Sequence, residues 1–410
     1  MNTPIPVNSR LDYLDAVRAF ALLLGIVFHA SLSFLPIFIG WAVMDIHTSP
    51  IVGTFMLISH SFRMELFFLV AGFFSHMTYH KKGAALFLKS RLVRIAIPFV
   101  VGWFLLRPLL VSGWVMGMQS MRGEVSILPA LREGFVSLLG FFNAPFTGTH
   151  LWFLYYLLLV TASLLLLRAF ISCISPLQSV LTKTADALMR WLCRSPLALL
   201  ALALPTAGCL WFMGQWGMDT PDKALTPHMP VFLIYGGFFV FGWLMHRQSD
   251  LMREFSRLSW HKVVLAIVAI VASVILSGYE GQSGHPNYFY LKLAFKCSYT
   301  LMMWSLVAIT IGLFRRFLDR PSRTVRYIAD SSYWLYLLHL PIVIWLQIAF
   351  AEVDLHWGIK LALISGITIG VSLVLYDLFV RSTFIGAVLN GQRKERLLAR
   401  TKGKVQVVQS

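Results

Sequence analysis

The stretch RAFALLLGIVFH, residues 18–29, places ten uncharged and mostly apolar residues between an arginine and a histidine. Apolar sequence continues past His29 to Ile39, so the run from 17 to 39 is long enough to cross a membrane as a helix. At about 1.5 Å of rise per residue, His29 lies about 16 Å beyond Arg18. A histidine at that depth in hydrocarbon is either a tolerated polar residue or one with a function.

The composition predicts that the first run is one of many. Of the 410 residues 58% are hydrophobic and only 13% are charged, whereas soluble domains carry about 25% charged residues. The sequence therefore predicts an all-α, polytopic membrane protein with about ten transmembrane helices. They are expected near 17–39, 51–78, 92–115, 151–172, 196–213, 229–246, 260–278, 289–314, 332–350 and 357–380. In the connection 116–150 we expect a short helix or a re-entrant segment.

The basic residues predict the orientation of the chain. Most of the 35 lysines and arginines fall in the two tails and in the loops on the same side, so both termini are expected to be cytoplasmic. The net charge of +17 is then explained by orientation and contact with membrane lipid rather than by binding nucleic acid. We predict a cytoplasmic tail over 1–16, one membrane domain over 17–381 and a basic cytoplasmic tail over 382–410.

The four cysteines give no sign of a disulfide framework or a metal site. They have no paired spacing, and each falls in or next to an apolar run: Cys173, Cys193, Cys209 and Cys297. No metal and no tightly bound cofactor are expected.

The second predicted span contains HSFRMELFFLVAGFF, residues 60–74, which brings further ionisable residues into the membrane. His60 and Arg63 are three residues apart and share a helix face. Because a short loop joins the first two spans, His29 and Arg63 are expected at similar depth. A histidine beside an arginine is a poor structural pair, since both can be cationic, but it suits a site where negative charge develops. Glu65 lies on another face and is expected to pair with a lysine or arginine of a different span.

These residues resemble the integral-membrane acyltransferase-3 family, in which an arginine is followed after ten residues by a histidine on the first span. The resemblance covers about residues 10–385 and includes LDAVRAF…GIVFHASL, HSFRMELFFLVAGFF, HLWFL and SSYWLYLLHLPI. It is greatest for members that succinylate osmoregulated periplasmic glucans. Ala71 stands where serine is expected and Glu65 where glutamine can stand, so neither position is a good choice for essential chemistry.

The resemblance implies transfer of a succinyl group from cytoplasmic succinyl-CoA, the co-substrate, to hydroxyls of a periplasmic glucan acceptor. It also implies a bacterial inner-membrane location, with other glucan-biosynthesis proteins as further partners. A histidine has the pKa that a general base needs near neutral pH, and a fixed arginine can stabilise an oxyanion. We therefore predict His29 as the base, or as a transient acyl carrier, and Arg63 as the group that polarises the acyl carbonyl.

Ten further residues are predicted to bind substrate. The phosphates of acyl-CoA would lie near Arg18, Arg91 and Arg94. The succinyl carboxylate needs its own cation, for which Arg107, Lys292 and Lys296 are candidates, although Arg107 could equally extend to the membrane interface and the two lysines could anchor a helix end. Motif matches add His60, His150, Trp152 and His339, where the aromatic belt of a membrane interface would also explain Trp152.

Two other functions fit the same residues. One is an O-acetyltransferase acting on O-antigen or another extracytoplasmic polysaccharide, with the same fold and the same role for His29. The other is a proton-coupled transporter of glycan or solute, since buried histidine, arginine and glutamate also serve proton relays. Against the transporter, the spans show no clear internal repeat.

Overall fold

The structure is a computed structural model that describes residues 11–142, 148–222, 224–248 and 250–397. Within these ranges every regular element is helical, as the sequence predicts. The start of the predicted N-terminal tail (1–10) and the end of the basic tail (398–410) lie outside the described residues.

Fifteen α-helices follow one another along the described chain. They are α1 (Asp12–Ser31), α2 (Pro50–Lys82), α3 (Ala84–Arg91), α4 (Ile97–Ser120), α5 (Ile127–Val136), α6 (Trp152–Ser172), α7 (Ser175–Arg194), α8 (Ala198–Trp211), α9 (Met229–Arg247), α10 (Asp250–Phe255), α11 (Trp260–Ser277), α12 (Tyr288–Phe317), α13 (Arg323–Phe350), α14 (Trp357–Leu375) and α15 (Phe384–Asn390). A π-helical turn, Leu92–Ala96, joins α3 to α4, and a second, Tyr376–Val380, ends α14.

Nine helical segments of the described chain are long and apolar enough to cross a membrane, and a tenth is possible if α7 and α8 form one bent span. This confirms the prediction of a polytopic α-helical membrane protein. The fifth predicted span, 196–213, is only the 14-residue α8, which meets α7 at an angle of 114°. The side on which the termini lie stays a prediction.

The first span ends earlier in the sequence than its apolar run predicts, at Phe34 rather than near residue 39. Helix α1 ends at Ser31, and a single 3₁₀ turn continues it only to Phe34. Leu35 is extended (φ −68°, ψ 139°) because it precedes Pro36, whose ring disfavours the helical conformation of the residue before it. The chain from 35 to 49 is therefore a loop, and it returns Trp41 toward the bundle.

Helices α2 and α9 approach each other closely through two glycines. A Cβ atom on Gly72 would overlap the Phe239 carbonyl oxygen, and one on Gly242 would overlap the Leu69 carbonyl oxygen. Small residues allow such backbone contact between helices in a membrane. This contact fixes the rotation of α2, which carries His60 and Arg63.

Replacing Gly72 with alanine is therefore expected to destabilise the protein by about 1–3 kcal/mol, as overpacking of a close contact does. The measurement is the thermal midpoint of the detergent-solubilised protein. Gly237→Ala on α9 is the matched control, because a Cβ atom there meets nothing within 4 Å. An unchanged midpoint for Gly72→Ala would contradict the contact between α2 and α9.

The connection 116–150 contains the short helix α5, which turns back along α4. Gly134 of α5 lies against the carbonyl of Pro108, which is 12 residues before the end of α4 at Ser120. Leu128 and Phe135 of α5 are 79% and 61% exposed, as side chains facing lipid would be. The connection thus contains the short helix that the sequence predicts.

Candidate active site

One cavity of about 350 Å³ runs through the bundle between α1, α2, the α3–α4 junction, α6 and α13. Its ionisable side chains form two groups. The first, which we call the basic mouth, consists of Arg18, Arg91 and Arg94. The second, which we call the polar centre, consists of His29, His60, Arg63, His150 and His339. Apolar side chains line the cavity between them, including Leu22, Phe67, Val70 and Phe74.

The ring of His29 lies between two other rings in the last turn of α1. It stacks on Trp41 with 5.8 Å between centroids, and its centroid is 5.3 Å from that of His339. Its Nδ1 atom is buried and has no hydrogen-bond partner among the described residues. Aromatic contacts therefore hold the His29 ring in place, while the hydrogen-bonding capacity of its Nδ1 atom is not used by the described residues.

Gln347 on α13 fixes the surroundings of His29. Its Nε2 donates to the backbone carbonyls of His29 and Ala30, both at 3.0 Å, and its Oε1 accepts from the Trp41 indole at 2.9 Å. Gln347 and Trp41 were not among the predicted site residues. The only indication in the sequence concerns Gln347, which is a polar glutamine inside an apolar span.

Arg63 is 5% exposed and lies against α1. Its guanidinium carbon is 4.2 Å from the centroid of the Phe28 ring, and a Cβ atom on Gly25 would lie 3.5 Å from Nη1. Because Gly25 and His29 are one turn apart, the small residue lets the guanidinium lie beside the helix that carries the histidine. Nε and Nη1 are buried and have no acceptor among the described residues, so the protein does not use up the hydrogen-bonding capacity of this guanidinium.

The other three histidines of the polar centre differ from His29 because each contacts a backbone carbonyl. The distances are 3.1 Å from His60 Nε2 to Met218, 2.9 Å from His150 Nε2 to Leu337, and 2.7 Å from His339 Nδ1 to Tyr336. A carbonyl only accepts, so these nitrogens carry the proton and the tautomers are fixed. Among the four, His29 is the histidine whose ring is not held in this way.

In the basic mouth, Arg91 and Arg94 face the cavity without a carboxylate partner in the described part of the chain. Arg91 donates from Nη2 to Ser75 Oγ at 2.6 Å and lies 4.7 Å above the Phe87 ring. Arg94 belongs to the π-helical turn, a feature that often occurs at functional sites. Arg18 is 3.4 Å from Asp15. The mouth therefore has a surplus of positive charge.

Trp152 also lines the cavity and stacks on Tyr235, but three predicted binding residues lie elsewhere. Arg107 lies 4.8 Å above the Trp103 ring, and Lys292 lies 5.0 Å from the Trp211 ring. Lys296 is fully buried and donates to the carbonyls of Leu210 and Gln215 at 2.8 and 2.9 Å, so it ties α12 to the end of α8. None of these three cations reaches the cavity.

Glu65 does not form the ion pair that the sequence analysis predicts. It is fully buried, and neither carboxylate oxygen has a hydrogen-bond partner among the described residues. Its face of α2 points away from the cavity lining.

Residues 11–377 match the acyltransferase-3 family, described as an acyltransferase domain, so the chain belongs to this family of membrane enzymes. It is a multi-pass membrane protein and an acyltransferase. Among curated proteins it is similar to glucans biosynthesis protein C of Escherichia coli strain K12 and of strain ED1a (serotype O81). Both are 25% identical over 398 residues, which cover 95% of this chain and 96% of each relative. No solved structure matches.

Proposed function

We propose that this protein moves a succinyl group from succinyl-CoA, at the cytoplasmic face of the bacterial inner membrane, to a hydroxyl of an osmoregulated periplasmic glucan. The observation that carries the proposal is that one continuous cavity joins the basic mouth to His29 and Arg63. The name of the E. coli relatives supports a glucan acceptor.

The cavity suits a long donor with a charged head. The phosphates of CoA would bind Arg18, Arg91 and Arg94, since guanidinium groups pair well with phosphate oxygens. The narrow pantetheine arm would then pass the apolar walls between α1, α2 and α13. This places the thioester carbonyl near Arg63, whose free N–H groups would donate to its oxygen.

The acceptor would enter from the end opposite the basic mouth. There Thr220 lines the cavity, and its Oγ1 lies 3.4 Å from His60 Nε2. A sugar hydroxyl that reaches past Thr220 would meet His29 and the thioester together.

The chemistry is a direct acyl transfer. His29 takes the proton of the hydroxyl as its oxygen attacks the thioester carbon and forms the new C–O bond. Arg63 stabilises the tetrahedral oxyanion. The C–S bond then breaks, and the CoA thiolate leaves with the proton that His29 held. In the alternative, His29 itself accepts the acyl group and passes it to the hydroxyl.

The second candidate is transfer of an uncharged acetyl group, which one observation favours. The three cations suggested for the succinyl carboxylate, Arg107, Lys292 and Lys296, lie outside the cavity. The acetyl route would need no such cation.

Mass spectrometry of periplasmic glucans tests the proposal in a strain that lacks its own copy and expresses this protein. We expect glucans that carry a succinyl increment and revert to unmodified glucan when His29 is replaced. An acetyl increment would establish the second candidate instead. Unmodified glucan, together with no CoA release by the purified protein, would overturn both and direct attention to transport.

A further inference from the structure

The C-terminal segment 384–397 packs against the basic mouth. It begins with α15, and Gly391 ends that helix in the left-handed conformation (φ 78°, ψ 3°), with its N–H donating to the Ala387 carbonyl at 2.9 Å. A Cβ atom on Gly391 would overlap the guanidinium of Arg94. Two features therefore favour glycine at this position: the left-handed backbone conformation and the close contact with Arg94.

Polar contacts fasten the segment to the ends of α13 and α14. Lys394 forms an ion pair with Asp330, and the Leu397 N–H donates to Asp377 Oδ1 at 3.0 Å. Further contacts join Asn390 to the Tyr376 hydroxyl at 3.0 Å and the Arg381 guanidinium to the Glu395 carbonyl at 2.6 Å. Several anchors on both sides of Gly391 hold its backbone in place.

The Arg94 side chain is therefore confined from two directions. Its own backbone carbonyl accepts from the Tyr333 hydroxyl at 2.6 Å, which fixes the base of the side chain. Gly391 lies against its far end, the guanidinium group. Because Arg94 also lines the cavity, the contact with Gly391 restricts the guanidinium that a ligand there would meet.

We propose that Gly391 is a positioning residue for the donor. The segment 384–397 packs against Arg94 through Gly391 and holds its guanidinium in the orientation that binds a phosphate of the acyl-CoA. This inference rests on the proposed function, because it assigns the basic mouth to a phosphorylated donor.

The test is steady-state transfer by the purified full-length protein, with succinyl-CoA and acetyl-CoA as donors. In Gly391→Ala the new methyl group meets the flexible end of Arg94 rather than backbone, and the strain of the positive φ is matched by the Gly123→Ala control. We expect KM for the donor to rise about tenfold, because the displaced Arg94 loses about one charge-assisted hydrogen bond to the donor phosphate. The value of kcat should change less than twofold. Lys394→Ala, which releases the segment from Asp330, should raise KM in the same direction by a smaller factor.

Two controls separate positioning from a general loss of stability. Gly123→Ala introduces the same methyl group at a positive φ (82°) with nothing within 4 Å, and should leave KM unchanged. In the Arg94→Ala background, Gly391→Ala should have no further effect on KM, since it acts through that side chain.

The outcomes distinguish this inference from the proposed function. If the wild-type protein releases CoA and Gly391→Ala keeps the wild-type KM, the positioning role is wrong and the proposed function stands. An undiminished effect of Gly391→Ala in the Arg94→Ala background would likewise overturn the positioning role. If the wild-type protein uses neither donor, the proposed function fails and the role of Gly391 fails with it.

Discussion

Replacing His29 with alanine is expected to lower kcat for acyl transfer by about 10²–10⁴-fold, the usual contribution of a general base. The reason is the state of its ring. His60, His150 and His339 each use a ring nitrogen on a backbone carbonyl, whereas the His29 ring is held by aromatic contacts and retains its hydrogen-bonding capacity. The measurement is CoA release with succinyl-CoA and isolated glucan at saturating concentrations.

His339→Gln is the matched control for this experiment. A glutamine amide can still donate to the Tyr336 carbonyl that His339 contacts, so the structural role is kept and we expect a loss of less than about tenfold. His29→Gln should behave like His29→Ala, since an amide cannot take up the proton. If His29→Gln retains activity within threefold of wild type, His29 is not the base.

The variant His29→Ala also helps to separate direct transfer from an acyl-histidine intermediate. Wild-type protein mixed with succinyl-CoA in the absence of glucan is expected to show no burst of CoA and no acylated peptide containing His29. A stoichiometric burst that is absent in His29→Ala would establish the covalent route instead.

The proximity of His29 and Arg63 could be predicted from sequence, because local rules determine the depth of each residue in the membrane. Helical spacing gives the depth of each residue along its span, and the short connection makes α1 and α2 antiparallel neighbours. The rotation of the two helices could not be predicted in the same way. It depends on Gly25, which admits the guanidinium, and on Gly72 and Gly242, which bring α9 against the far side of α2.

The candidate residues that lie outside the cavity have the same physical explanation. Depth alone made Arg107 and Lys296 candidates for the cavity, but the rotation of α4 and α12 directs them elsewhere, to Trp103 and to the end of α8. The contact of Gly391 with Arg94 joins residues almost 300 positions apart. No local pattern indicates it, because a glycine that ends a helix occurs in many proteins without any such contact.

The substitution Arg63→Gln is expected to lower kcat by about 10²–10³-fold, as removal of one oxyanion donor does in other acyl-transfer enzymes. Arg63 has a fixed position over Phe28 and two N–H-bearing nitrogens without an acceptor in the described chain. Arg63→Lys should recover only part of the activity, since an ammonium group is a point charge on a flexible stem and cannot reproduce the planar donor pair. KM for the donor should change much less than kcat, because the basic mouth rather than Arg63 holds the phosphates.

The matched control is Arg107→Gln, which also replaces an arginine that lies over an aromatic ring within a span but outside the cavity. We expect transfer within twofold of wild type for this variant, with succinyl-CoA and with acetyl-CoA. A selective loss with succinyl-CoA would instead show that Arg107 reaches the succinyl carboxylate when the donor is bound. Equal losses of kcat in the two variants would mean that removing an arginine from a span perturbs the whole bundle, and the role of Arg63 in stabilising the oxyanion would lose its support.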